Sequence, residues 1–306
     1  MSADDKASVS ALPGDVPPAS WGLEEGDLIA PGLHVLRLLG GGSRYEAYLA
    51  FDDGLHYVVV AKVIRPASVG DSSALRGLRR EAEILGSLQH PVIPRVLGAR
   101  FDGDRPYLVL EMIEGPRLST IIRKFGSLDT EQVAPLAVEL AAALHYLHGR
   151  ELMHLDVKPT NVILGAPPRL IDLSIARGFA EAAELDVAVG TDAYMAPEQC
   201  RPRSGPVGPP ADVWGLGVTL HEAVTGRSPF ARGIDDAAAS LEEKFPQLTM
   251  APADLPNGVP SQIASVIEAA LAREPADRPS AREVAETVEP LLSTPRRFVL
   301  KALRPG

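Results

Sequence analysis

One polar segment, His154-Leu155-Asp156-Val157-Lys158-Pro159-Thr160-Asn161, constrains this chain more than any other. It lies between two apolar runs. Before it, Val133, Leu136, Ala137, Leu140, Leu144 and Leu147 recur at three- and four-residue spacing, which predicts a core helix. After it, Val162-Ile163-Leu164 is short and largely β-branched, which predicts a strand. A polar loop held between buried elements is where chemistry tends to sit. Within it Asp156 is a candidate base, Lys158 a candidate counter-charge and Asn161 a neutral oxygen ligand. The competing reading is a chance polar loop, and the remainder of the chain has to decide between them.

Several function classes fall away on composition. At 306 residues the chain can bury a sizeable core, and 45% apolar with 23% charged residues is an ordinary globular balance. A net charge of −10 argues against a nucleic-acid partner. The single cysteine, Cys200, excludes an internal disulfide and a thiolate metal cluster, and reads as an incidental thiol in a reducing compartment. There is no uncharged apolar run of 18 residues and no basic start followed by an apolar stretch. The expectation is therefore a cytoplasmic protein with neither membrane span nor signal peptide.

In chain order, residues 1–26 are rich in Ser, Ala, Asp and Pro and predict a disordered tail. Leu33 to Ala50 reads as strand, glycine turn and strand. The turn holds Gly40, Gly41 and Gly42, which would let backbone amides approach phosphate oxygens, although any tight hairpin can use such a cluster. Residues 57–64 predict a buried strand interrupted by Lys62, which must be paired unless it faces water from an edge. The following helix, about Ser73 to Leu88, carries Glu81 close to its apolar stripe. Lys62 lacks an anion and Glu81 a cation. Residues 106–115 predict a strand running into a turn. His145 and His148 read as structural side chains of a core helix.

Beyond the polar loop, residues 161–172 predict a hairpin turned at Gly165-Ala166-Pro167-Pro168 and ending at Asp172. Asp212 opens an apolar helix and by itself could be an N-cap. Two further helices are expected, one from Ser261 and one from the capping box Ser280 to Glu283. Residues 294–306 carry Arg296, Arg297, Lys301 and Arg304 and read as a short basic tail.

The pattern H-x-D-x-K-P-x-N resembles the catalytic loop of protein kinases, in particular the bacterial, eukaryotic-like Ser/Thr kinases. The resemblance spans about residues 28–293. It implies an α+β, two-lobed protein-kinase-like fold, with a small β-rich N-lobe at 27–113 and a larger, mostly helical C-lobe at 114–293. It also implies ATP and Mg²⁺, and transfer of the γ-phosphoryl to a Ser or Thr hydroxyl of a protein substrate. By that resemblance Gly40, Gly41 and Gly42 cover the phosphates, and Lys62 paired with Glu81 holds them. Val60 replaces the small alanine that usually lies two positions before this lysine, which implies a tighter adenine ceiling. Leu110 is the gatekeeper, and the backbone of Glu111 and Ile113 holds adenine. Asp156 accepts the substrate proton, Lys158 neutralises the moving phosphoryl, and Asn161 with Asp172 holds Mg²⁺. Thr191 bridges Asp156 and Lys158, Glu198 pairs with Arg278, and Asp212 anchors the catalytic loop backbone.

Some positions depart from the family pattern. Tyr45 replaces the third glycine of the phosphate loop, Leu173-Ser174 replaces the Phe-Gly that usually follows the metal-binding Asp, and Leu155 replaces the usual Arg. Residues 178–190 contain no Ser, Thr or Tyr, so both the usual phosphate acceptor and its cationic receptor are missing. The expectation is a kinase that activation-loop phosphorylation does not control. Glu181, Glu184 and Asp186 would play a fixed part instead. The alternatives are a nucleotide-binding scaffold of the same fold and a small-molecule phosphotransferase. The peptide-shelf segment Thr191 to Glu198 argues against the latter.

Overall fold

The computed structural model describes residues 19–236 and 238–292. The first 18 residues of the expected N-terminal tail and all of the expected basic tail at 294–306 lie outside them. The chain divides into two compact units. One comprises the residues up to Ala82 together with Val96–Met112, and the other comprises Glu83–Arg95 and the chain from Ile113 onward.

The first unit is built on β1 (Leu28–Ala30), β2 (Leu33–Gly41), β3 (Tyr45–Asp52), β4 (Tyr57–Ile64), β5 (Val96–Arg100) and β6 (Tyr107–Glu111). They form one sheet in the order β1-β2-β3-β4-β6-β5, with every neighbouring pair antiparallel. Alternation sorts the side chains to two faces. Val35, Tyr48, Ala50, Val59, Ala61, Val63 and Val109 bury one face, with Ile29, Ala30 and Leu33. Val60 and Lys62 stand on the other. β4 is an interior strand, so Lys62 is not an edge residue facing water. Helix α1 (Ser72–Gly86) follows β4. It keeps Ala74, Leu78 and Leu85 buried at helical spacing.

Packed structure begins before the expected boundary at residue 26. Trp21 and Leu23 lie against the sheet core, and the Trp21 indole donates to Ile64 O at 2.8 Å. The Arg105 guanidinium sits 4.6 Å from the Trp21 ring centre. One aromatic among the small and polar residues of this segment supplies enough apolar area to anchor it.

The second unit contains α2 (Leu118–Phe125), α3 (Thr130–His148), β7 (Leu152–Met153), β8 (Val162–Ile163), β9 (Arg169–Leu170), β10 (Arg177–Gly178), α4 (Phe179–Ala183), α5 (Pro197–Cys200), α6 (Pro210–Thr225), α7 (Leu241–Lys244), α8 (Ser261–Ala270) and α9 (Ala281–Val288). β8 pairs with β9 and β7 with β10, both antiparallel. α3 packs on α6 and α9, and α6 on α8. α6 is buried without a break from Ala211 to His221, as expected of a helix apolar on every side. α9 starts at the capping box, where Ser280 Oγ accepts from Glu283 N at 3.2 Å and the Glu283 carboxylate accepts from Ser280 N at 2.8 Å. Residues 83–95 belong to this unit through the His90–Tyr146 ring contact and the Leu170 N–Val92 O hydrogen bond of 2.8 Å.

Candidate active site

In the first unit the hairpin register decides which groups share a face. Gly40 pairs with Ala47, Ala47 with Lys62, and Lys62 with Leu108, so one row crosses four strands. Two interstrand steps, roughly 10 Å, separate the glycine backbone from Lys62. Val60 and Leu110 are direct cross-strand partners on the same face as Lys62, and Glu111 pairs with Val59. A Cβ on Gly41 would lie 2.3 Å from Tyr45 O, so only glycine closes this turn. Gly42 O accepts from Arg65 Nε at 2.7 Å, which ties the turn to the end of β4.

Lys62 and Glu81 find each other. Lys62 Nζ donates to Glu81 Oε1 at 2.9 Å and to Oε2 at 2.7 Å. The Glu81 side chain has no solvent exposure and that of Lys62 has 13%. A buried carboxylate requires such a partner, and β4 and α1 bring the two charges together.

In the second unit the polar loop is suspended from α6. The Asp212 carboxylate accepts from the backbone amides of His154 at 2.9 Å and Leu155 at 2.7 Å, and bonds His148 Nε2 at 2.9 Å. Burial pushes this carboxyl up. The hydrogen bond and charge of His148, with the charge and amide of His154, outweigh that and hold it below the ordinary carboxylate range. Asp212 is thus an anchor inside the helix rather than its N-cap, because α6 begins at Pro210. Leu155 has a φ of +65°, which turns the chain so that successive amides meet one carboxylate. Gly215 lets the α6 backbone approach, since a Cβ there would lie 3.0 Å from Val157 O.

Three predicted residues meet around Asp156. Thr191 Oγ1 donates to Asp156 Oδ1 at 2.7 Å, and Lys158 Nζ lies 2.7 Å from Asp156 Oδ2. Lys158 Nζ also donates to Thr191 Oγ1. Asn161 Nδ2 donates to Asp156 O at 2.9 Å and to Asp156 Oδ2 at 3.0 Å. The Asn161 amide orientation is thereby set, and Oδ1 is the oxygen it can offer a cation. Asn161 O accepts from Ile171 N at 2.8 Å, which places the residue before Asp172 beside the loop. Asp172 has a φ of +69°, and its Oδ1 accepts from Ser174 N at 3.4 Å. An amide oxygen and a carboxylate are the hard donors that Mg²⁺ prefers, and two protein ligands suffice where phosphate and water complete the shell.

The Glu198–Arg278 pair is bidentate at 2.7 and 2.9 Å, and Arg278 donates further to Ala272 O at 2.8 Å, Arg273 O at 2.9 Å and Pro210 O at 3.0 Å. Tyr194 donates to both Glu222 oxygens at 3.1 Å. Burial, reinforced by the Glu222 charge, pushes the Tyr194 phenol above its ordinary value.

Two glutamines and a buried ion pair are among the features that escaped the sequence reading. Gln199 Nε2 donates to Leu155 O at 3.2 Å and Val189 O at 3.0 Å, joining the polar loop to the segment before Thr191. Gln247 Nε2 donates to Asp192 O at 2.7 Å and Met195 O at 3.1 Å. Glu46, on the buried face of β3, pairs with Arg65 at 2.9 Å and accepts from the Tyr48 hydroxyl at 2.7 Å. A charged residue on the inward phase of an alternating strand was the available signal for Glu46. No periodicity marks either glutamine.

The sequence pattern of the protein kinase domain matches residues 33–288. The chain is 32% identical over 251 residues to the serine/threonine-protein kinase PknB of Mycobacterium leprae, covering 79% of this chain and 40% of that protein. It is 36% identical over 239 residues to the serine/threonine-protein kinase PkaA of Streptomyces coelicolor, covering 74% and 42% respectively. With the serine/threonine-protein kinase PrkC of Bacillus subtilis it shares 30% over 274 residues, covering 88% and 41%. The chain therefore spans about two fifths of the length of these relatives. Among the described residues no helix is long and apolar enough to cross a membrane. The chain belongs to the protein kinase family, in the eukaryotic-like serine/threonine branch that these bacterial proteins represent.

Proposed function

We propose that this chain is an ATP- and Mg²⁺-dependent serine/threonine protein kinase. The observation that carries the reading is the cluster in which Thr191, Lys158 and Asn161 all bond the Asp156 carboxylate. Phosphoryl transfer depends on positioning and charge neutralisation more than on covalent help, and this cluster supplies both. Asp156 orients a Ser or Thr hydroxyl and takes its proton as the new P–O bond forms and the bond to the leaving ADP oxygen breaks. Lys158 neutralises charge on the moving phosphoryl. Lys62, held by Glu81, fixes the α- and β-phosphates, and the backbone of Gly40, Gly41 and Gly42 covers them. Val60 and Leu110 line the adenine site, where the backbone of Glu111 and Ile113 bonds the base. Asn161 and Asp172 would hold Mg²⁺, which would supply positive charge to offset that of the phosphates. ATP as substrate, together with a buried single cysteine, fits a cytoplasmic reaction.

The test is transfer from labelled ATP with Mg²⁺, to the protein itself and to a generic basic substrate, for wild type and Asp172→Asn. Label on the wild type that vanishes in the variant is the expected result. No label from wild type that still binds Mg-ATP would overturn the reading in favour of a nucleotide-binding scaffold.

The same reading extends to control. Leu155 is buried where the family commonly has Arg, and residues 178–190 hold no hydroxyl side chain. Arg177 Nε lies 3.5 Å from Glu181, and Arg203 lies 3.9 Å from Asp186. These fixed charges stand in for a phosphate-dependent pair, and the kinase needs no activation-loop phosphate. Phosphosite mapping of active protein checks this, and stoichiometric activating phosphate on Thr191 would be the contrary finding.

A further inference from the structure

We infer that Tyr45 is a positioning residue that clasps the glycine hairpin to α1 and holds Lys62 in line. This rests on the role proposed above for Lys62. Tyr45 occupies the first position of β3, immediately after the glycine turn, and pairs with Ile64 of β4. Its hydroxyl reaches α1, where it donates to Ala74 O at 2.8 Å. Its ring lies under the Lys62 ammonium, with Nζ 5.0 Å from the ring centre. That is within the range of an attractive cation–π contact. Lys62 is thus held by the Glu81 carboxylate and by the face of an aromatic ring.

Gly77 gives the clasp its specificity. A Cβ at residue 77 would stand 2.7 Å from the Tyr45 hydroxyl oxygen. Glycine inside a helix destabilises it relative to alanine, and here the Tyr45 hydroxyl fills the space a Cβ would need. Tyr45 and Gly77 are matched, the large residue on the hairpin needing the small one on the helix. The consequence is mechanical. α1 carries Glu81, and a shift of α1 would break the Lys62–Glu81 pair. By joining the first turn of α1 to the hairpin, Tyr45 opposes that shift without any added phosphate.

The experiment is a cycle of Tyr45→Phe, Tyr45→Ala, Gly77→Ala and Tyr45→Ala/Gly77→Ala. Each is assayed for kcat and KM of ATP, and each for amide hydrogen exchange over residues 73–82. Removing only the hydroxyl should lower kcat about fivefold and leave the KM of ATP within twofold, the size of one lost hydrogen bond. Gly77→Ala should lower kcat at least as far, because it displaces the ring. The double variant should match Tyr45→Ala within twofold, since the new methyl then meets nothing, and this non-additivity is the signature of the clasp. A role limited to stability would lower the melting temperature and leave kcat per folded molecule unchanged. Exchange reads the clasp without turnover, and Tyr45→Phe and Tyr45→Ala should each speed it several-fold. If wild type transfers no phosphoryl, the kinase reading falls while the exchange data still decide the clasp. Unchanged exchange in Tyr45→Phe, or additive losses of kcat in the double variant, would overturn it.

Discussion

Thr191 Oγ1 donates to one oxygen of Asp156 at 2.7 Å while Lys158 approaches the other at 2.7 Å, so the carboxylate is held at both ends. A hydroxyl at residue 191 is required for this, and its methyl group is not. Thr191→Val should therefore lower kcat by about tenfold or more, because a small displacement of the proposed base is costly. Thr191→Ser should stay within about threefold. Steady-state phosphoryl transfer at saturating ATP distinguishes the two. Equal losses in both variants would mean that the methyl packing matters and the bridge does not.

Lys62 and Glu81 separate stability from catalysis. Lys62→Met removes the cation that bonds both Glu81 oxygens, and breaking a buried pair costs roughly 3–5 kcal/mol. Glu81→Gln in the same chain removes the buried charge. Urea unfolding should show Lys62→Met strongly destabilised and Lys62→Met/Glu81→Gln largely restored, with phosphoryl transfer absent from both. Restored activity in the double variant would remove Lys62 from the phosphate site.

The residues legible in the sequence were those set by short spacing or by the requirement that a buried charge find a partner. Asp156, Lys158 and Asn161 lie within six positions, and one loop can present all three. Lys62 and Glu81 could be matched because each stood on an apolar element without a counter-ion. Glu198 with Arg278, and Asp212 with the loop, came through the family pattern alone, since no local rule links residues that far apart. The Glu46–Arg65 pair and the Tyr45–Gly77 fit were missed because strand pairing and helix docking create them. β1, β5 and α2 were missed for another reason. They are 3, 5 and 8 residues long, too short for periodicity to stand out. β5 also includes a glycine and an alanine, which weaken strand propensity.

Cys200 should report opening of the segment around Thr191. Burial, then the charges of Asp192 and Glu198, push its thiol up to about 12. On the order of one thiol in ten thousand is then ionised at pH 8, and the side chain is buried as well. Folded protein should resist iodoacetamide at pH 8, and labelling should appear in urea with the unfolding transition. Rapid labelling in native buffer would show that α5 opens locally without global unfolding.

Asp212 gives the fold a defined acid limb. Its carboxyl in the folded state lies below the ordinary value near 3.8, so the folded protein holds its proton less tightly than the unfolded chain does. Stability from this group is complete above the unfolded value and is lost as pH falls through the lower folded value. Asp212→Asn cannot accept from both loop amides at once with charge, and should cost roughly 3 kcal/mol at pH 7. The variant should also lose less stability than wild type between pH 5 and pH 3, since the titrating group is gone. Chemical denaturation across that range measures both quantities. The loop amides at His154 and Leu155 should exchange faster in the variant, because their acceptor has weakened. If the two proteins instead run parallel in pH, with the offset intact, the suspension of the 154–161 loop depends on geometry at Asp212 and not on its charge.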